Sequence, residues 1–201
     1  MQFAYGMIKS RKQKGRCKMT TATKKKSRIY DITFIAISAA IMAVCSWISI
    51  PGPVPFTLQT FGVFVTVSIL GGRRGTLAVL VFLLLGAVGI PVFAGFSGGF
   101  GVLLGSTGGY LLGFLFTALI MWLFEKIPGN KTLMLILSML VGLVVCYAFG
   151  TAWFMVVYGH NTGPIGLGST LMMCVVPFIL PDLAKIALAF LISSRVRKYV
   201  P

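Results

Sequence analysis

Acidic side chains are almost missing from this sequence. Asp31, Glu125 and Asp182 are the only three, against 18 Lys and Arg in 201 residues. Histidine occurs once, as His160. The four cysteines, Cys17, Cys45, Cys146 and Cys174, have no CxxC spacing and no neighbouring histidine, so neither a metal site nor a disulfide framework is expected. Three of those cysteines sit in apolar segments, where Cys serves as a small packing residue. There is no GxxxxGK[ST] phosphate loop, and the run Gly99 to Gly105 has the spacing GxGxxxG, which is not a dinucleotide fingerprint. Only 10% of the residues are charged while 57% are hydrophobic, and the mean hydropathy is +0.96. A water-facing surface cannot be built from that composition, which excludes a soluble enzyme. The formal charge of +15 by itself suggests a nucleic-acid partner, but ten of the basic residues lie between Lys9 and Arg28 and long later stretches carry no charge. That distribution marks membrane spans and excludes nucleic acid as the partner.

What is present is apolar sequence in six segments, at about 32–50, 55–71, 75–92, 106–124, 132–157 and 167–194, each near the ~20 residues that a spanning helix needs. The breaks carry turn chemistry: Pro51-Gly52-Pro53, Gly71-Gly72, Pro91 with the glycines from Gly95 to Gly101, Pro128-Gly129-Asn130, and Gly159 through Gly168. Alternate connections hold the cations. Seventeen of the 18 fall in the N-terminal arm, at Arg73 and Arg74, at Lys126 and Lys131, and at Arg195, Arg197 and Lys198. The positive-inside rule then predicts an all-α, six-helix membrane protein with both termini cytoplasmic. Residues 1–28 are expected to be a basic, flexible cytoplasmic tail along the anionic leaflet, and 29–201 the transmembrane domain. Met19 opens a second plausible start, and the length of the first apolar stretch argues against a cleaved signal peptide.

Within the spans the ionisable pair is Asp182 and Lys185, in PFILPDLAKIALAFL. A lone charge at mid-membrane costs at least ~2.5–3.5 kcal/mol, so such residues pair or line a cavity. Their i, i+3 spacing puts both on one helical face. Pro177 and Pro181 are expected to break the last segment, with Asp182 in the first turn after the break. The 14 residues from Pro181 to Ser194 span about 21 Å, which places Asp182 in the outer half of the bilayer, where a discontinuous helix can frame a solute site. The alternative is an ion pair that fixes helix packing. Two outer connections supply neutral hydrogen-bonding groups beside aromatics: Thr57, Gln59 and Thr60 in PGPVPFTLQTFG, and Ser97, Thr107 and Tyr110 in FAGFSGGFGVLLGSTGGYLLGF. That mixture suits a small, mostly uncharged ring system; as interface turns the same residues would form an aromatic belt. His160 is expected in a solvated outer loop. The steps Gly105, Gly109, Gly113 are read as close helix packing, and Ala36, Ala39, Ala40 and Ala43 give two overlapping AxxxA steps through which another helix, internal or a partner's, can approach. With no phosphate loop, concentrating a solute needs an ATPase partner or a coupled ion.

The motifs VPFTLQTFGVF, GGRRG, GAVGIPVFAGFSGGFGVLLGSTGGYLLGF and PFILPDLAK, in order over about residues 32–198, closely resemble the BioY family of biotin-specific S components of energy-coupling factor transporters. One departure is Ser106, where GPTGGY is commoner. The resemblance implies a six-helix S-component fold and a biotin site in the outer half, covered by the first outer loop. It also implies that Asp182 and Lys185 contact the ligand. Gln59, Ser97, Tyr110 and Thr57 are carried over as further polar contacts. It implies that helix one docks through Ala36, Ala39, Ala40 and Ala43 on the coupling protein EcfT, which works with two ABC ATPases, in the cytoplasmic membrane. No cofactor is implied and the ligand is biotin. A stand-alone proton-coupled carrier titrating Asp182 is the alternative. An intramembrane enzyme is disfavoured because no second carboxylate, histidine or cysteine nucleophile accompanies the pair.

Overall fold

The computed structural model describes residues 29–52, 54–163 and 165–197. The basic arm 1–28 and Lys198, on which two of the expectations above rest, lie outside the described residues. Contacts divide the chain into residues 1–34 and a compact unit from Ile35 onward.

Every apolar segment contains helix. The first segment is α1 (Ile29–Trp47). The second holds α2 (Gln59–Leu70) and the third α3 (Gly72–Ala87). A short α4 (Phe100–Leu104) precedes α5 (Gly108–Glu125), which is followed by α6 (Lys131–Thr162). The last segment is divided into α7 (Leu167–Cys174) and α8 (Val176–Val196). Four of these, α1, α5, α6 and α8, are long and apolar enough to cross a membrane. Of the remaining helices, α2 and α3 are shorter than the hydropathy pattern suggests, at 12 and 16 residues. Their shared boundary is set by Gly71, whose φ of +78° ends one helix and begins the next. The other end of the second segment is not helical. Its first residues form β2 (Phe56–Thr57), paired antiparallel with β1 (Ser49–Ile50) in the register Ser49 to Thr57 and Ile50 to Phe56. The molecule is therefore helical with one small hairpin rather than purely α.

α5 and α6 form a tightly packed helix pair, and small residues permit it. A Cβ on Gly109 would collide with Trp153, and one on Gly113 would stand 2.8 Å from Cys146 Sγ. Thr117 Oγ1 donates both to Gly113 O in its own helix (3.0 Å) and to Gly142 O across the interface (2.9 Å). In lipid there is no hydrophobic drive between helices, so close packing and interhelical hydrogen bonds of this kind carry association. Large apolar side chains such as Leu84, Val144, Leu180 and Leu191 point outward, as a lipid-facing surface requires.

Two details differ from the sequence expectation. The break in the last segment is at Val175 (φ −124°, ψ −55°), not at Pro181. Pro177 takes the first turn of α8, where an N–H has no intrahelical partner anyway, while Pro181 lies inside the helix. Asp182 thus sits nearly two turns into α8 rather than at its start. His160 lies in the last turn of α6 rather than in a loop, because the helix runs on to Thr162.

Of the alanines on α1, Ala39 and Ala43 are buried within the chain's own core, where Gly62 of α2 comes close to Met42 and Cys45. Ala36 and Ala40 face outward. The two AxxxA steps therefore form adjacent edges of one stripe, one edge buried and the other open.

Candidate functional site

A cleft framed by the hairpin, the turn at residues 93–97, α5, α6 and α8 has an empty volume, open mouth included, of about 770 Å³. Asp182 and Lys185 both line it and both are buried, at 3% and 4% exposure. Lys185 Nζ donates to Asp182 Oδ1 at 2.6 Å and to the backbone carbonyl of Thr57 at 2.7 Å. It also lies 4.2 Å from the centre of the Phe56 ring. Phe56 in turn stacks on Phe178 of α8, with centroids 6.0 Å apart. One cation thus joins the hairpin to the last helix. The second carboxylate oxygen, Oδ2, accepts from Tyr147 Oη at 2.5 Å. With a partner on each side, the burial of two charges is compensated in the way that buried ion pairs require.

The other four sequence candidates, Gln59, Ser97, Tyr110 and Thr57, line the same cleft, in differing conditions. Gln59 is 3% exposed and its side-chain N–H₂ has no partner among the described residues. A buried amide donor costs roughly 1–3 kcal/mol when unsatisfied. Tyr110 Oη is 3.2 Å from Thr151 Oγ1, and its ring fits against α6 because residue 150 is glycine; a Cβ there would overlap the ring. Ser97 Oγ donates to Ala94 O at 2.7 Å, which commits its proton to its own turn. Thr57 contributes its backbone carbonyl to Lys185, while its hydroxyl oxygen accepts from Gln59 N at 3.3 Å.

The turn at residues 93–97 is held by a Phe93 N to Ser97 O bond of 3.0 Å. It passes through Gly95 (φ +67°) and Phe96 (φ +55°). Left-handed geometry at Phe96 costs about 1–2 kcal/mol. The ring recovers part of that by stacking on Trp47 at 5.0 Å, and Trp47 Nε1 donates to Pro91 O at 2.8 Å. The end of α1 thereby braces one wall of the cleft.

Tyr147 escaped the sequence reading. It stands with Leu143 and Cys146 on the cleft side of α6, but α6 is apolar all round and its periodicity points nowhere. The one available signal was a phenol in the middle of a long hydrophobic run, since a buried Tyr hydroxyl needs a partner.

A second cluster lies away from the cleft. Gly72 N donates to Glu125 Oε2 at 2.5 Å, and Arg197 Nη2 lies 3.3 Å from Glu125 Oε1. Glu125 therefore ties the α2–α3 turn, the end of α5 and the end of α8 together at one end of the molecule. Beside it, Lys126 Nζ sits 4.8 Å over the Trp122 ring.

Apolar outward faces, helices long enough to span, and one deep cleft with a buried charge pair and an unsatisfied amide define a multi-pass membrane protein that holds a small solute. The comparisons with known proteins agree. The chain superposes with a TM-score of 0.76 on the crystal structure of the S-component for biotin from an ECF-type ABC transporter, at 28% identity, covering 86% of this chain and 93% of that one. It is 42% identical over 163 residues to the biotin transporter BioY of Thermotoga maritima, covering 81% of this chain and 92% of the relative. The probable biotin transporter BioY of Pyrococcus horikoshii is 38% identical, covering 83% and 96%. The BioY family matches residues 19–201, and the chain belongs to that family. It is a transport protein and not an enzyme.

Proposed function

We propose that this chain is the substrate-capturing S component of an ECF-type transporter, binding biotin in the cleft around Asp182 and Lys185. The observation that carries the reading is the state of that pair. Lys185 has three N–H bonds, of which Asp182 and the Thr57 carbonyl engage two. The Asp182 carboxylate keeps an unused lone pair on each oxygen. A free donor beside a carboxylate with free acceptor positions matches the adjacent C=O and N–H edge of a cyclic urea, which is the ring end of biotin. The unpartnered Gln59 amide offers a further donor to an acceptor of the ligand, and Tyr110 and Ser97 complete the polar lining.

The membrane arrangement belongs to the same reading. Six spans with both termini cytoplasmic place the cations at Arg73, Arg74, Lys126, Lys131, Arg195 and Arg197 on the inner side. The joining of the α2–α3 turn, the end of α5 and the end of α8 by Glu125 supports this, since alternate connections then share one end. The cleft falls in the outer half of the cytoplasmic membrane. Lacking a phosphate loop, the chain relies for ATP-driven uptake on an EcfT-type coupling protein and two ABC ATPases. A docking helix would meet Ala36 and Ala40, the outward pair on α1.

Equilibrium binding of radiolabelled biotin to the purified protein in detergent, without ATP, tests the reading. Saturable binding that is lost in Asp182→Asn and Lys185→Ala is the expected result. A folded wild type that binds no biotin would overturn it, and normal binding by both variants would return the pair to a structural role.

A further inference from the structure

We infer that Tyr147 is a positioning residue that orients Asp182 and thereby sets the selectivity of the cleft for a urea edge; this rests on the biotin reading and deepens it. Two donors hold the carboxylate from different helices: Tyr147 of α6 on Oδ2 at 2.5 Å, and Lys185 of α8 on Oδ1 at 2.6 Å. Held at both oxygens, the carboxylate cannot turn about its Cβ–Cγ bond, and its two unused lone pairs keep fixed directions. With the phenol gone, Oδ2 would be free to swing to the same ammonium. A carboxylate can take a cation with both oxygens, and the N–H left over for a ligand carbonyl would then be lost. Tyrosine also suits the task by charge. It donates a proton and adds no charge, so Asp182, Lys185 and Tyr147 together stay neutral inside the membrane, whereas a second cation would need its own counter-ion. Tyr147 lines the cleft beside Cys146 and Leu143, close enough to act through Asp182.

The test is competition binding with Tyr147→Phe, using biotin and two analogues each methylated on one ureido nitrogen. A hydrogen bond to a charged group is worth enough to change affinity about ten- to a hundredfold, so the variant should bind biotin that much more weakly. The analogue whose methyl group blocks the nitrogen facing Asp182 should bind poorly to the wild type. It should lose less than about threefold further in the variant. The same loss for biotin and both analogues would mean that Tyr147 only supports the fold, and would overturn the inference, as would unchanged biotin binding. If Tyr147→Phe does not fold, 3-fluorotyrosine at position 147 keeps the shape and alters only the strength of the donor. Biotin affinity should then move while that of the blocked analogue does not, and the inference falls if both or neither move. A wild type that binds no biotin defeats the proposed function itself, an outcome read without any Tyr147 variant.

Discussion

Two carboxylate–cation pairs of the protein, one deep in the cleft and one near the surface, differ in almost every respect. Asp182 and Lys185 meet at 2.6 Å with side chains 4% and 5% exposed, while Glu125 and Arg197 meet at 3.3 Å with 41% and 48% exposed. The exposed pair works against solvent and salt screening, and pairs of that kind contribute about 0–1 kcal/mol. Glu125 matters more through Gly72, where its carboxylate satisfies a backbone N–H at the first residue of α3. The buried pair stands in a setting where each partner is expensive without the other. Its surroundings also leave donors and acceptors open: an amide on Gln59, an N–H on Lys185 and lone pairs on Asp182. Burial, then, shows where charge matters, and the open donors and acceptors beside it are what the proposed ligand would use.

The sharpest way to break this contrast is to remove one buried partner. Lys185→Ala should lose biotin binding by at least about a hundredfold and lower stability by roughly 3–5 kcal/mol, because it strands the carboxylate; ligand binding and thermal unfolding in detergent read the two effects separately. Replacing both partners, as Asp182→Asn with Lys185→Met, should bring stability back to within roughly 1–2 kcal/mol of the wild type while binding stays lost. If binding returned with stability, the pair would be structural after all. At the other end, Gly72→Ala should cost roughly 1–3 kcal/mol by overpacking, since the added methyl would run into Trp122; affinity for biotin in the surviving folded fraction should be unchanged. Trp47→Phe keeps the stack on Phe96 but removes the bond to Pro91, and should cost about 1 kcal/mol, seen as a small drop in melting temperature. Arg197→Ala is the smallest, below about 1 kcal/mol, and shrinking further as salt is added.

How much of this was readable beforehand follows from what leaves a mark on a linear pattern. Asp182 and Lys185 stood out because charge is rare in the spans and i, i+3 is a local geometry. Gln59, Ser97, Tyr110 and Thr57 converge on the cleft as the polar members of two otherwise apolar connections. Tyr147 did not stand out, because a helix buried or lipid-covered on all sides has no polar face from which to read direction. The partner of Gly72 was hidden for a different reason: Glu125 lies 53 residues away, and nothing local announces such a contact. The break at Val175 was misplaced because two prolines suggested it, and a proline in a helix's first turn starts the helix as readily as one further on disturbs it. The alanines of α1 gave the spacing of two steps correctly but not which edge of their stripe is buried, since that depends on the approach of α2 at Gly62.

The bond from Lys185 to the Thr57 carbonyl closes a loop of 128 residues. Its two ends leave the ribosome far apart in time: the hairpin emerges after the first apolar segment, and the lysine only with the last. The cleft therefore cannot exist on a nascent chain still missing α8, however well its earlier helices have inserted. During synthesis the hairpin carbonyl waits without its charged partner, and biosynthesis completes the cleft in a single late step rather than by degrees.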